Sequence, residues 1–179
     1  MTKMKFCPQC GKELVYKIKD GRDRHFCPDE SECGYVHWNN PIPVVAAIVE
    51  HEGEIILARN AAWPATWYAL ITGFLESGET PEEGIIREVK EELNLDGEIV
   101  ELVGLYEFHR MNQLIIAYHI KATGSIQLSE ELVDYKRLKP EEIKPWPAGT
   151  GRAVQDWQAK RGIFNEMFDF TKSSSATDE

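Results

Sequence analysis

Glu88, Glu91 and Glu92 are three carboxylates within five positions. At 3.6 residues per turn they share one arc of about 100° on a helix, and Glu88 and Glu92 lie side by side one turn apart. Carboxylates crowded in this way repel one another, a cost that packing alone gives no reason to accept. A hard divalent cation relieves it, and Mg2+ and Mn2+ prefer such oxygens. A softer ligand set stands near the start of the chain, where all four cysteines, Cys7, Cys10, Cys27 and Cys33, are found. In Cys7-Pro-Gln-Cys10-Gly11 two intervening residues let one turn aim both sulfurs at one ion, and Gly11 can take the positive φ such turns use. Cys27 and Cys33 enclose five residues, wider than the usual spacing, with His25 and His37 nearby as substitute ligands. Four thiolates around zinc leave no open position, so that ion would be structural. The competing reading is two disulfides or free thiols. No apolar export segment precedes Cys7, so we expect reduced thiols and a cytoplasmic protein.

The elements that hold these residues fall into two regions. Lys12–Phe26 reads as two short strands around Asp20-Gly21, a strong hairpin signal. Residues 1–38 are therefore expected to form a small ribbon, too short to build a sufficient core without metal. Asn39-Asn40-Pro41-Ile42-Pro43 marks a boundary. A second domain is expected over 39–170, and the serine-rich 171–179 as a flexible tail. In the second domain Val44–Glu50 and Glu54–Ala58 form a hairpin, followed by strands at Trp67–Thr72, Ile99–Phe108 and Leu114–Ala122. Helices are expected at Thr80–Leu93 and Gly151–Lys160, with a short one at Pro140–Ile143. The first has a Thr80 N-cap, Pro81 at its first position and Glu83 to complete a capping box. Ile85, Ile86, Val89 and Leu93 form its apolar stripe. The fold class is α+β.

Composition narrows the function. Twenty Lys and Arg against thirty Asp and Glu give a net charge of −10. General nucleic-acid binding is not expected of such a chain, because phosphate neutralisation needs a basic surface. No apolar stretch approaches the ~20 residues of a membrane span. A phosphorylated substrate would have to be drawn by metal ions rather than by bulk charge.

The stretch Gly73–Leu95 resembles the Nudix box, G-x5-E-x7-R-E-U-x-E-E-x-G-U, where U is a bulky aliphatic residue. Gly73, Glu79, Arg87, Glu88, Val89, Glu91, Glu92 and Leu95 match, and Asn94 stands where the family has Gly. That position lies just past the helix end, where Asn is the best residue after Gly. The resemblance implies an α/β/α sandwich with a mixed sheet, and Mg2+- or Mn2+-dependent hydrolysis of a nucleoside diphosphate linked to another moiety. It also implies roles. Glu88, Glu91 and Glu92 would be ligands or base, with Glu91 or Glu92 the base. A backbone carbonyl at Thr72 or Gly73 would be a further ligand, and Arg87 and Glu79 an ion pair fixing loop to helix. A four-Cys ribbon before such a domain is similar to the NADH pyrophosphatase-like group. That likeness implies an additional metal-binding Glu in Leu128-Ser-Glu130-Glu131-Leu132; Glu131 is favoured and Glu130 is its rival.

The group's S-Q-P-W-P-F-P-x-S signature is missing: Leu105–Gln113 stands in its place, so NADH preference does not carry over. FAD and ADP-ribose are then comparable candidates. Tyr106 and Phe108 on this segment, and Trp63, Trp67, Tyr68 and Phe74 around the box, offer rings for stacking. Arg59, His109 and Arg110 offer phosphate contacts, and Asn112 and Gln113 hydrogen bonds. The expected partner is a small nucleotide, and a homodimer is a candidate assembly. The alternatives are a catalytically silent sensor of the same fold, or an enzyme that removes nucleotide caps from RNA.

Overall fold

Asp20 and Gly21 both take positive φ, 52° and 71°, as a tight two-residue hairpin requires. They join β1 (Val15–Lys19) to β2 (Arg22–Phe26), and β3 (Val36–His37) adds antiparallel to β2. Beneath this sheet Cys7, Leu14 and Cys27 are buried, with Cys33 and Tyr35 packed against them. We describe residues 4–168 of a computed structural model; the tail expected at 171–179 lies outside them. The chain divides into two compact units between Pro41 and Ile42.

The second unit is built on β4 (Ile42–His51), in which every residue from Val44 to Val49 is buried. A central strand covered on both faces should read as a continuous apolar run, and this one does. Around it lie β5 (Glu54–Asn60), β6 (Ile71–Phe74), α1 (Pro81–Leu93), β7 (Asp96–Phe108), β8 (Gln113–Thr123), β9 (Leu132–Leu138) and α2 (Gly151–Ala159). The strand order is β7-β8-β4-β5-β9, with β6 also on β4. β4 and β8 run parallel from end to end and the other pairs are antiparallel, so the sheet is mixed. Val45, Ala47 and Val49 point to the layer of Ile85, Val89 and Leu93 on α1. Val44, Ala46 and Ile48 point to the layer of Ala153, Val154 and Trp157 on α2. This is the expected α/β/α sandwich.

One feature of β4 shapes the site. Residues 44–47 pair with β6, whereas residues 49–51 pair with β5. The sheet therefore forks, and an isolated bridge joins Ala58 of β5 to Ala69, two residues before β6 begins. The strand expected at Trp67–Thr72 is corrected: Trp67 closes a turn onto Pro64, and the strand begins at Ile71 and runs to Phe74. β9 occupies a stretch for which the sequence predicts no element. The short helix at Pro140–Glu142 is a single 3-10 turn. No helix among the described residues is long and apolar enough to cross a membrane.

Candidate active site

The acidic helix α1 is held at both ends by its own sequence. Thr80 Oγ1 accepts from the Glu83 backbone N–H at 3.2 Å, and Glu83 Oε2 accepts from the Thr80 N–H at 2.8 Å. At the other end Asn94 adopts φ 58°, ψ 24°, and its N–H bonds the Lys90 carbonyl. Ile85, Val89 and Leu93 are buried against the sheet, with Ile86 packed beside them. The remaining face of the helix presents the glutamates.

Arg87 organises that face. Its Nε and Nη2 bond the two oxygens of Glu79 at 3.1 and 2.8 Å, a bidentate pair. Nη2 also donates to the Phe74 carbonyl at 3.2 Å. Glu79 Oε1 accepts from the Glu76 N–H at 2.8 Å. Together these bonds hold the carboxyl of Glu79 down at about 2. The loop 74–79 is thus clamped to the helix. Two glycines make the clamp possible. A Cβ at Gly84 would lie 2.8 Å from Glu79 Oε1. A Cβ at Gly73 would lie 1.9 Å from the Glu88 carboxylate carbon, so Glu88 rests directly on the β6 backbone. Arg87 Nη1 reaches Glu88 at 2.7 Å and Glu91 at 3.1 Å.

Glu92 faces the fork. It lines a cavity of about 100 Å3 with Ala58, Asn60, Trp63, Leu70, Thr72, Glu131 and Leu132. Glu131 arrives there because its loop is tied to the helix end: the Gln127 and Ser129 N–H groups bond the Leu93 and Glu92 carbonyls at 3.0 Å. The Ala61 N–H bonds the Glu131 carbonyl from the other side. Burial, with the charges of Glu88, Glu131 and Glu91, pushes the Glu92 carboxyl up to about 8. A divalent cation fits this donor set. It is a knot of hard oxygens whose mutual repulsion only a cation or a proton relieves.

In the first unit the four cysteine sulfurs lie within 4.8 Å of one another. Soft donors at that spacing suit zinc. His25 and His37 instead face each other across β2 and β3, with ring centroids 6.3 Å apart.

The expected substrate residues separate. Tyr106 is corrected: it is buried in the α2 layer and its hydroxyl donates to Asp156 at 2.9 Å, so its ring is not free to stack on a ligand. Phe108 packs partly against the same layer, and Gln113 pairs with it across β7 and β8. Phe74 is 58% exposed. Arg110 and His109 are exposed on a 3-10 turn. Arg59 lies in register with Asp134 on β9, whose carboxylate accepts from Tyr68 at 2.5 Å; it does not line the cavity of Glu92. Its neighbour Asn60 does, and the register slips between the two, a bulge that re-aims the strand end. Sequence reasoning missed Asn60 and Gly84. A glycine inside an otherwise strong helix, at a cost of about 1 kcal/mol, was the available signal for the second.

Known proteins match both units. The NUDIX domain model matches residues 40–157, and the model described as Nudix N-terminal, a zinc ribbon, matches 5–39. The NAD-capped RNA hydrolase NudC of Pseudomonas aeruginosa is 27% identical over 146 residues, covering 80% of this chain and 51% of its own. NudC of Vibrio atlanticus is 30% identical over 98% of this chain and 62% of its own. The chain thus spans about half the length of most of these curated relatives. A NUDIX hydrolase structure from Nitrosomonas europaea superposes with a TM-score of 0.74 at 29% identity, covering 93% of this chain and 97% of that one. With a family model spanning more than half its length, over a forked mixed sheet and a capped acidic helix, the chain belongs to the NUDIX domain family.

Proposed function

We propose that the protein is a Mg2+- or Mn2+-dependent hydrolase. It cleaves the pyrophosphate bond of a nucleoside diphosphate linked to another moiety and releases a nucleoside monophosphate. The observation that carries this reading is the convergence of Glu88, Glu92 and Glu131 on the fork, with Glu88 seated on Gly73. Glu88, Glu91, Glu92 and Glu131 would hold the cations, with a carbonyl of Thr72 or Gly73 as a further ligand. Cations bound there would neutralise the diphosphate oxygens and lower the pKa of a coordinated water. Glu91 or Glu92 takes the proton of the attacking water. Water adds to one phosphorus, the bridging P–O bond breaks, and the two phosphates separate. Arg87, fixed by Glu79, keeps the carboxylates in place and the loop closed over the helix.

The organic half of the substrate is read by the segment 108–113. Phe108 is half-buried, and Arg110 offers an exposed cation. Polar and cationic groups suit FAD or ADP-ribose at least as well as a reduced nicotinamide. A second reading, removal of an NAD-type cap from RNA, is favoured by the names of the relatives. Cysteines kept as zinc ligands suit a reducing, cytoplasmic setting.

A panel of NADH, NAD+, FAD, ADP-ribose, dinucleoside polyphosphates and capped RNA, assayed with Mg2+ and with Mn2+, tests the proposal. We expect monophosphate release, with FAD or ADP-ribose cleaved at higher kcat/KM than NADH. Arg110→Ala should raise KM or change that ranking. No hydrolysis of any member would overturn the proposed activity, and NADH as the clear best would overturn the role of 108–113.

A further inference from the structure

The charge of this protein is unevenly distributed. Residues 42–179 carry thirteen Lys and Arg against twenty-four Asp and Glu, whereas residues 1–41 carry seven against six. Within the ribbon the cations gather on one face. Antiparallel register puts Lys17 opposite Arg24 and Lys19 opposite Arg22, on the same side of β1 and β2. Trp38, just after β3, joins them: the Arg24 guanidinium lies 4.5 Å from its ring centroid and Lys19 Nζ 5.7 Å. Arg24 also donates to the Trp38 carbonyl at 3.0 Å, which fixes the indole's backbone. The indole remains 46% exposed. Lys12 and Lys17 are neutralised by Asp29 and Glu30. Among the described residues Lys19, Arg22 and Arg24 make no salt bridge with a carboxylate, and Lys19 stands close enough to Glu30 to share its charge with Lys17. The opposite face of the hairpin carries Tyr16, Ile18, Asp23 and His25 instead.

We propose that this face of the ribbon, Trp38 with Lys19, Arg22 and Arg24, binds single-stranded nucleic acid. An indole flanked by cations that make no salt bridge supplies the two things a single strand needs: a flat surface for a base and positive charge for the backbone. Stacking on one exposed ring requires an unpaired base, so duplexes are disfavoured. The net charge of −10 opposes coating of long polyanions, and the patch is small, so we expect weak, salt-sensitive binding of a few nucleotides. This goes beyond the hydrolytic reading and does not depend on it, because the ligand needs no pyrophosphate bond.

The test is fluorescence anisotropy of a labelled oligouridine, titrated at low salt with the full-length, zinc-loaded protein and no added Mg2+ or Mn2+. The expected result is saturable binding whose log affinity falls with log salt at a slope of about −2, three cations at ~0.7 each. Reversing charge with Lys19→Glu and Arg22→Glu together should weaken binding about tenfold or more. Trp38→Ala should do the same through lost stacking, and Trp38→Phe should retain most of the affinity. Zinc content measured on each variant shows that the ribbon is still folded, and hydrolysis of small dinucleotides should be unchanged. Oligothymidine should bind comparably, since the face reads stacking and phosphate rather than the 2′-hydroxyl. No saturable binding, equal competition by a duplex, or unchanged affinity in the zinc-loaded charge-reversed variant would overturn the proposal.

Discussion

Glu92 bears the main electrostatic cost of the acidic face. Its carboxyl is raised from 4.5 to about 8 by burial and by three neighbouring carboxylates. A raised carboxyl destabilises the folded state once ionised: the penalty is absent below pH 4.5, grows up to about pH 8 and is constant above that. Glu92→Gln should therefore raise stability at pH 8 or above when Mg2+ and Mn2+ are withheld, by about 1–2 kcal/mol after allowance for screening. Thermal melts with and without Mg2+ should show the gain only without it. Glu79 has the opposite sign. Held at about 2 by Arg87, it contributes stability above pH 4.5 that is lost as pH falls from 4.5 toward 2. Glu79→Gln should flatten the acid limb of an unfolding titration over that range. Gly73→Ala tests the seat of Glu88: the new Cβ would fall 1.9 Å from its carboxylate carbon, so the side chain must move away. We expect Mn2+ affinity, read by electron paramagnetic resonance, to fall about tenfold. Glu88, Glu91 and Glu92 were legible in the sequence because helical spacing alone crowds them. Asn60 was not, because a strand bulge, invisible in sequence, aims it at the cavity.

At the scale of elements, α1 was the most legible part of the chain. Thr80, Pro81, Glu83 and Asn94 specify its ends locally, and the structure places each cap as expected. Asn94 sits in the left-handed region, so Asn94→Ala should cost about 1 kcal/mol and Asn94→Gly almost nothing. Thermal unfolding separates the two, with a fall of about 2–4 °C for alanine. β9 was illegible for the opposite reason. It is an edge strand, and Val133, Asp134 and Lys136 are exposed, so Leu132–Leu138 lacks the clean alternation of a half-buried strand. The parallel pairing of β4 with β8, and the fork between β5 and β6, are relations between distant segments that no local pattern encodes. They nonetheless set the site, because they bring Glu131 and Thr72 to Glu92.

At the scale of the whole molecule, the proposed function divides the work between two metals of different character. Four thiolates would select zinc, and the carboxylate face would select Mg2+ or Mn2+. We expect about one zinc per chain to survive dialysis against mild EDTA. Cys27→Ser should release it and expose the ribbon to proteolysis, since so small a core cannot stand without metal. The cysteine spacing made the ribbon legible, and the prolines and asparagines near position 40 marked where it ends. Which nucleotide the proposed hydrolase would prefer was not legible, because the segment replacing the NADH signature mixes a buried ring, Tyr106, with exposed polar groups. The central claim, that the acidic face of α1 performs hydrolysis, is tested by comparing turnover of the wild-type protein with Glu92→Gln at saturating Mg2+. The substrate should be the best of the panel, and a melting curve should confirm that both are folded. The predicted result is an intact fold with monophosphate release reduced at least about a hundredfold. Near-wild-type turnover from the folded variant would contradict the account.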